Sequence, residues 1–278
     1  MQPGAPVPLT GEVKMQLATV VSVRGAAGVS RHMSATRRCA VAALLWLVPM
    51  AGGPVAALAA ANPGPSFDCT KATSADERTI CVSPYLSRID VLVAKAYADF
   101  VPEFGSSKRA IGKWLLDDRF ACGTDEACIA AVQVNALETY GASVSWAESY
   151  VDALIGAKAA AFAENARLNR DQPIPQRVGD CAVTHVAEIT TRFGEPFTGA
   201  DPNAGSAIQL TNDGRQVSYD AVAAFYDAKV GDPVVMCLVS VPRDCPRDDD
   251  RGRVYYGLDA RTGGTWSLPD SQHSCGGA

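Results

Sequence analysis

The sequence predicts an α+β protein in which a disulfide-stapled small helical domain is followed by a small all-β barrel or sandwich domain. Three observations carry that expectation. The spacing of apolar residues changes from near four to near two beyond Pro173 and Pro175, eight cysteines divide four and four about that point, and the later apolar runs are punctuated by Gly and Asp turn signals.

Composition narrows the class. The 278 residues carry 25 Lys+Arg against 30 Asp+Glu, a net charge of −5, so no nucleic-acid partner is expected. Hydrophobic residues make up 47% but aromatics only 7%, so most of the apolarity is Ala and Val, and two small domains fit better than one large one. Residues 1–61 hold five basic and one acidic residue, residues 62–170 hold 11 and 14, and residues 171–278 hold 9 and 15. Without its first 61 residues the chain would stand at −9.

Residues 33–61 have a basic head at Arg37 and Arg38, an apolar stretch from Ala40 to Val48, and then small residues around Pro49 and Pro54. That pattern is a secretory signal peptide, with cleavage expected after Ala57-Leu58-Ala59 or Ala59-Ala60-Ala61. Residues 1–32 precede Met33, lack periodicity and read as a spurious N-terminal extension. The prolines interrupt a stretch already short of the ~20 residues a membrane span needs, so the mature chain is expected to have no membrane span and to be periplasmic or secreted. Cys69, the first mature cysteine, follows Ser66-Phe67-Asp68, which is no lipid-attachment motif.

Cys39 leaves with the leader, and the remaining eight are Cys69, Cys81, Cys122 and Cys128, then Cys181, Cys237, Cys245 and Cys275. An even count in each half predicts two disulfides per domain, each contributing about 2–4 kcal/mol. The competing arrangement is a zinc set from Cys181-x3-His185 and His273-x-Cys275. An oxidising compartment and the absence of a C-x2-C spacing weigh against it, so no metal is expected.

In the helical domain, residues 62–170, Ser74 and Glu77 have the S-x-x-E form of a capping box and open a helix running to Cys81. Ser83-Pro84 restarts it, with Leu86, Ile89, Val93, Tyr97 and Phe100 on one stripe. After the break at 102–105, Ser106 or Ser107 caps a third helix bearing Ile111, Trp114, Leu115 and Arg119, with Trp114 expected in the core. Gly123 ends it. Thr124, Asp125 and Glu126 begin a fourth helix, the acids favouring its positive end. Trp146, Tyr150, Leu154 and Phe162 place a long Ala-rich helix within 141–170.

Taken together, Phe67-Asp68-Cys69, Glu77-x2-Ile80-Cys81, Leu86-x2-Ile89-Asp90, Tyr97, Trp114-Leu115, Arg119-x2-Cys122 and Cys128-Ile129 resemble the lysozyme inhibitor LprI-like N-terminal domain family over residues 67–140. The chain departs from that pattern at Gln133 and Ala136, where the family tends to place an aromatic and an arginine, and Trp114 stands five rather than four residues before Arg119. The resemblance implies a non-catalytic protein that binds a c-type lysozyme and blocks it. A cationic enzyme with a carboxylate pair in its cleft calls for an acidic inhibitor with a protruding group, for which Lys108, Arg109 and Tyr85 are the candidates. The alternative is an envelope protein that contacts peptidoglycan or another envelope protein without inhibiting lysozyme. For Cys69, Cys81, Cys122 and Cys128 the favoured pairing is two local links, Cys69 with Cys81 and Cys122 with Cys128.

Residues 171–177, with Pro173 and Pro175, form an extended linker. In the β domain, residues 178–278, strands are expected at 182–193, 207–210, 216–219, 233–241, 253–258 and 265–268, with turns at Asn212-Asp213-Gly214, Gly231-Asp232-Pro233 and Thr262-Gly263-Gly264 and one helix within 221–229. Its four cysteines allow three connectivities, of which the one containing Cys237–Cys245 is disfavoured by the short return path. Asp248-Asp249-Asp250 lacks the alternation of a calcium loop and is flanked by Arg247, Arg251 and Arg253, so a solvated loop is expected. The mature chain has only His185 and His273, and no G-x-S-x-G, H-E-x-x-H, phosphate-loop or dinucleotide motif, so neither an enzyme nor a cofactor is expected.

Overall fold

The structure, a computed structural model, describes residues 64–199 and 201–277. The expected extension, signal peptide and cleavage sites lie outside the described residues. Five helices come first: α1 (Ala75–Val82), α2 (Pro84–Asp99), α3 (Lys108–Ala121), α4 (Glu126–Thr139) and α5 (Ser145–Asn165). Six strands follow: β1 (Cys181–Thr190), β2 (Ser206–Leu210), β3 (Arg215–Ser218), β4 (Pro233–Ser240), β5 (Val254–Asp259) and β6 (Thr265–Pro269). The fold is thus α+β, with a helical first part and a β second part.

The helix starts are chemically explicit. Ser74 Oγ accepts from the Glu77 amide while Glu77 Oε2 accepts from the Ser74 amide, a complete capping box. Ser83 caps α2 ahead of Pro84, and its hydroxyl also donates to Glu126 Oε1 at 2.7 Å, an oxygen that the Tyr150 hydroxyl reaches at 2.6 Å. One serine and one carboxylate therefore tie together the starts of α2 and α4 and the first turns of α5. Ser107 caps α3, and Asp125 rather than Thr124 caps α4 by accepting from the Cys128 amide.

Helix α4 is buried on all sides from Ala127 to Leu137, as a helix apolar all round must be. It packs on α2, α3 and α5 and on β4. Its Gln133 donates to the Leu86 carbonyl at 3.3 Å, and the Ser240 hydroxyl at the end of β4 lies 2.9 Å from Asn135 Oδ1. Helix α5 turns Ala147, Val151, Ile155 and Ala159 inward at four-residue steps, leaving Trp146, Tyr150, Leu154 and Phe162 to pack at the margin of the core. Ile129, Val132 and Ile155 of the helices share one buried cluster with Val183, Val235 and Leu238 of the sheet. The segment 171–177 runs beside β1, with the Gln172 amide donating to the Val183 carbonyl and the Gln172 side chain accepting from the Val183 amide, both at 2.8 Å.

The sheet is antiparallel throughout, in the order β3-β2-β1-β4-β5-β6, and curls into a half-barrel. Strands β3 and β6 come near one another without a backbone ladder; Gln216 of β3 spans the gap. Its Nε2 donates to the Tyr255 carbonyl at 2.6 Å and to the Leu268 carbonyl at 3.2 Å, and its Oε1 accepts from Trp266 Nε1 at 3.0 Å. Trp266 lies opposite Gly257 in register, and its indole covers the backbone there. A Cβ on Gly257 would sit 2.2 Å from Trp266 Cε2. Gly257→Ala should therefore lower stability by about 1–3 kcal/mol, read as a shift in the urea midpoint at constant slope.

Disulfides join Cys69 to Cys81, Cys122 to Cys128, Cys181 to Cys237 and Cys245 to Cys275. Cys181 and Cys275 are thereby engaged as disulfide sulfurs, which removes the thiolates that the zinc arrangement required. Oxidation of all eight fits a protein that matures in an oxidising compartment. Among the described residues no helix is long and apolar enough to cross a membrane.

Two expectations are corrected. Trp114 is 45% exposed, because α3 lies at the edge of the bundle and buries only the narrow stripe of Ile111, Gly112 and Leu115. The helix expected within 221–229 is a single 3-10 turn, Ala223–Phe225, which serves to send Phe225 into the core, where its ring meets Trp266 edge-on at 5.2 Å.

Candidate functional site

A cluster of buried charges lies where α1, α2 and α3 meet. Arg119 stands in the last turn of α3, where a cation complements the helix dipole, and Asp76 stands in the first turn of α1, where an anion does. Arg119 Nε donates to Asp76 Oδ2 at 2.8 Å and Arg119 Nη1 to Asp90 Oδ1 at 3.3 Å. The three side chains are 15%, 3% and 6% exposed, so the pairing is made largely out of water. Ser66 donates to the other oxygen of Asp90 through its amide at 2.8 Å and its hydroxyl at 2.6 Å, which fastens the start of the described chain, with Phe67, onto α2. Glu77 lies alongside, and the Ser74 and Thr73 amides hold its carboxyl below the usual carboxylate range.

Above this cluster opens a groove of about 580 Å³ between α2 and α3. Its apolar lining comes from Val93, Tyr97, Leu116 and Tyr140, its rim from Arg109 and Lys113, and its floor from Asp90 and Arg119. Gly112 sets the width: a Cβ there would lie 2.9 Å from Tyr97 Cε2, so glycine lets the tyrosine ring lie flat against α3. Burial, with Tyr97 beside it, pushes the Tyr140 phenol up to about 12, so this ring is a neutral hydroxyl throughout the physiological range.

The three candidate protruding groups are placed differently. Lys108 folds back, donating to the Ala98 carbonyl at 2.9 Å with its ammonium 4.8 Å from the Tyr97 ring centre. Tyr85 is half-exposed but stacked on Tyr150 at 4.7 Å. Arg109 is exposed on the groove rim and has no hydrogen-bond or ion-pair partner among the described residues. The structure brings Arg119 together with Asp76 and Asp90, whereas Tyr85 stands apart from the groove. Sequence reading missed Ser66 as a clamp and Gly112 as the residue that sets the groove; an isolated glycine inside an amphipathic helix was the available signal.

Elsewhere, His185 Nδ1 lies 2.8 Å from Asp171 Oδ1, an oxygen that also accepts from the Thr211 hydroxyl at 2.9 Å. The histidine holds the Asp171 carboxyl below its ordinary value. The Asp248–Asp250 loop is tied by its own arginines: Asp249 pairs with Arg251 at 2.8 Å and Asp250 with Arg253 at 3.0 Å.

No protein-family model matches the chain, and no curated protein or solved structure is significantly similar to it. The site therefore has to be read from its own chemistry. The groove offers an apolar trough with Arg109 and Lys113 on its lip and the Asp90–Arg119 pair beneath, a set of groups able to contact a partner segment through both apolar and charged atoms.

Proposed function

We propose that this is a non-catalytic binding protein of the cell envelope or exterior whose helical part binds a c-type lysozyme. The observation that carries the reading is the convergence of Asp76, Asp90 and Arg119, two of which belong to the residue set resembling the LprI-like family, beneath a groove flanked by Phe67 and Tyr97 of the same set. The acidic mature body would steer a cationic enzyme toward it. Arg109, unpartnered on the rim, is the group best placed to meet carboxylates of the enzyme's cleft.

The test is a titration of lysozyme-driven cell-wall lysis with the oxidised mature chain, beside a reduced and alkylated control. The whole chain is the proper reagent, because the helices share their core with the sheet. Inhibition near stoichiometry is expected, lost on reduction and weakened about tenfold or more in Arg109→Glu, with the far-UV spectrum unchanged. Absence of inhibition by folded, oxidised protein would refute lysozyme binding, and retention on peptidoglycan would then point to an envelope scaffold.

A further inference from the structure

A second constellation sits in the β part and owes nothing to the lysozyme reading. Arg192 follows β1, and its backbone is held from two directions: its amide donates to the Ala204 carbonyl at 3.2 Å and its carbonyl accepts from Gln272 Nε2 at 3.1 Å. Its guanidinium carbon lies 4.4 Å from the ring centre of Phe193 and 4.5 Å from that of Tyr219. Both rings are open to solvent, at 64% and 50% exposure, and Tyr219 meets the exposed His273 ring at 6.4 Å.

What sets this arginine apart from the other part-buried arginines of the described residues is the absence of a carboxylate partner. The part-buried guanidinium groups of Arg119 and Arg243 each face carboxylates, Asp76 and Asp90 for the first and Asp118 for the second. Arg192 has no carboxylate partner among the described residues, and its Nε is buried with no hydrogen-bond acceptor. A desolvated donor without a partner is costly, and ring contacts satisfy only the face of a guanidinium, leaving its in-plane N–H groups without an acceptor. Those groups match a carboxylate in the same plane, bound through two parallel hydrogen bonds.

We propose that Arg192, Phe193 and Tyr219 form a binding site for a carboxylate carried on a ring. The carboxylate lies in the guanidinium plane, and the ring of the ligand rests against the exposed aromatic faces. His273 stands close enough to Tyr219 to border the ligand's outer edge.

The experiment follows the Arg192 Nε–H resonance in the ¹⁵N-labelled, oxidised mature chain during titration with benzoate and with glucuronate. Benzamide and glucose serve as the neutral counterparts. A saturable shift with at least one carboxylate and with neither neutral compound is expected, and the tighter of the two carboxylates identifies whether the walls prefer an aromatic or a sugar ring. Arg192→Met should weaken binding at least about tenfold and Tyr219→Leu several-fold. Arg192→Lys, which keeps the cation but loses the fork, covers the case in which the methionine variant does not fold, and it too should bind more weakly. No saturation by about 50 mM carboxylate, equal shifts from the neutral compounds, or undiminished binding by a folded Arg192 variant would each overturn the assignment.

Discussion

Arg119→Met should lower the free energy of unfolding by about 3–5 kcal/mol at neutral pH, the largest effect expected of any single substitution in the helical part. The side chain is of similar length and packs similarly, so lost volume is a small part of the effect. The dominant loss is electrical. Asp76 and Asp90 are nearly inaccessible to water, and Arg119 is the cation that faces both, at 2.8 and 3.3 Å. Asp76 Oδ1 already lacks a hydrogen-bond partner, so without the guanidinium that carboxylate would be left almost bare. The triple variant Arg119→Met, Asp76→Asn, Asp90→Asn should recover much of the loss, because amides are far less costly to bury than unpaired charges. Arg119→Lys should fall between, since a single ammonium cannot reproduce the two-pronged contact. Urea unfolding of the oxidised proteins decides the matter: a loss under about 1 kcal/mol for Arg119→Met would mean that the cluster behaves as an exposed ion pair.

Replacing Cys181 and Cys237 together by alanine should cost about 4 kcal/mol, roughly twice the cost of replacing Cys122 and Cys128. The two bridges differ in the chain they close, with sequence separations of 56 and 6, and the entropy removed from the unfolded state grows with the logarithm of that length. The Cys181–Cys237 link also lies at the middle of the sheet, between directly opposed residues of β1 and β4, with Cys237 inaccessible to solvent. Its removal therefore leaves a void in the core beside the lost constraint. Calorimetry of the two double variants gives the ordering, and equal losses would show that native-state packing, not loop closure, sets the contribution of these bridges.

Most elements of the fold were legible because the residues that define them act locally. Ser74 with Glu77, Ser83 with Pro84, and Ser107 each begin a helix through contacts within one turn, and all six strands announce themselves by alternation. The Asn212-Asp213-Gly214 turn is of the same kind, with Asp213 in the left-handed region at φ 68°. What was not legible depends on which faces meet. Trp114 sits at a plausible core spacing, but α3 buries only Ile111, Gly112 and Leu115. Arg119 was readable as one half of an ion pair, yet its two partners come from α1 and α2, 43 and 29 residues away. The proline segment at 171–177 marks a real change of periodicity, while the core beneath it is continuous, and no local signal reports that α4 and α5 lie against β4. Arg192 gave no signal at all, since its interest lies in a missing partner.

The disulfide pattern has a consequence for how the molecule matures. In order along the chain, the eight cysteines of the described residues pair as neighbours: first with second, third with fourth, fifth with sixth and seventh with eighth. Eight thiols can be paired in roughly a hundred ways, and this is the one produced when each newly exposed thiol is oxidised with its predecessor. A chain delivered from its N-terminus into an oxidising space can thus reach its native cross-links by simple sequential oxidation, with no wrong pair to be broken and reshuffled.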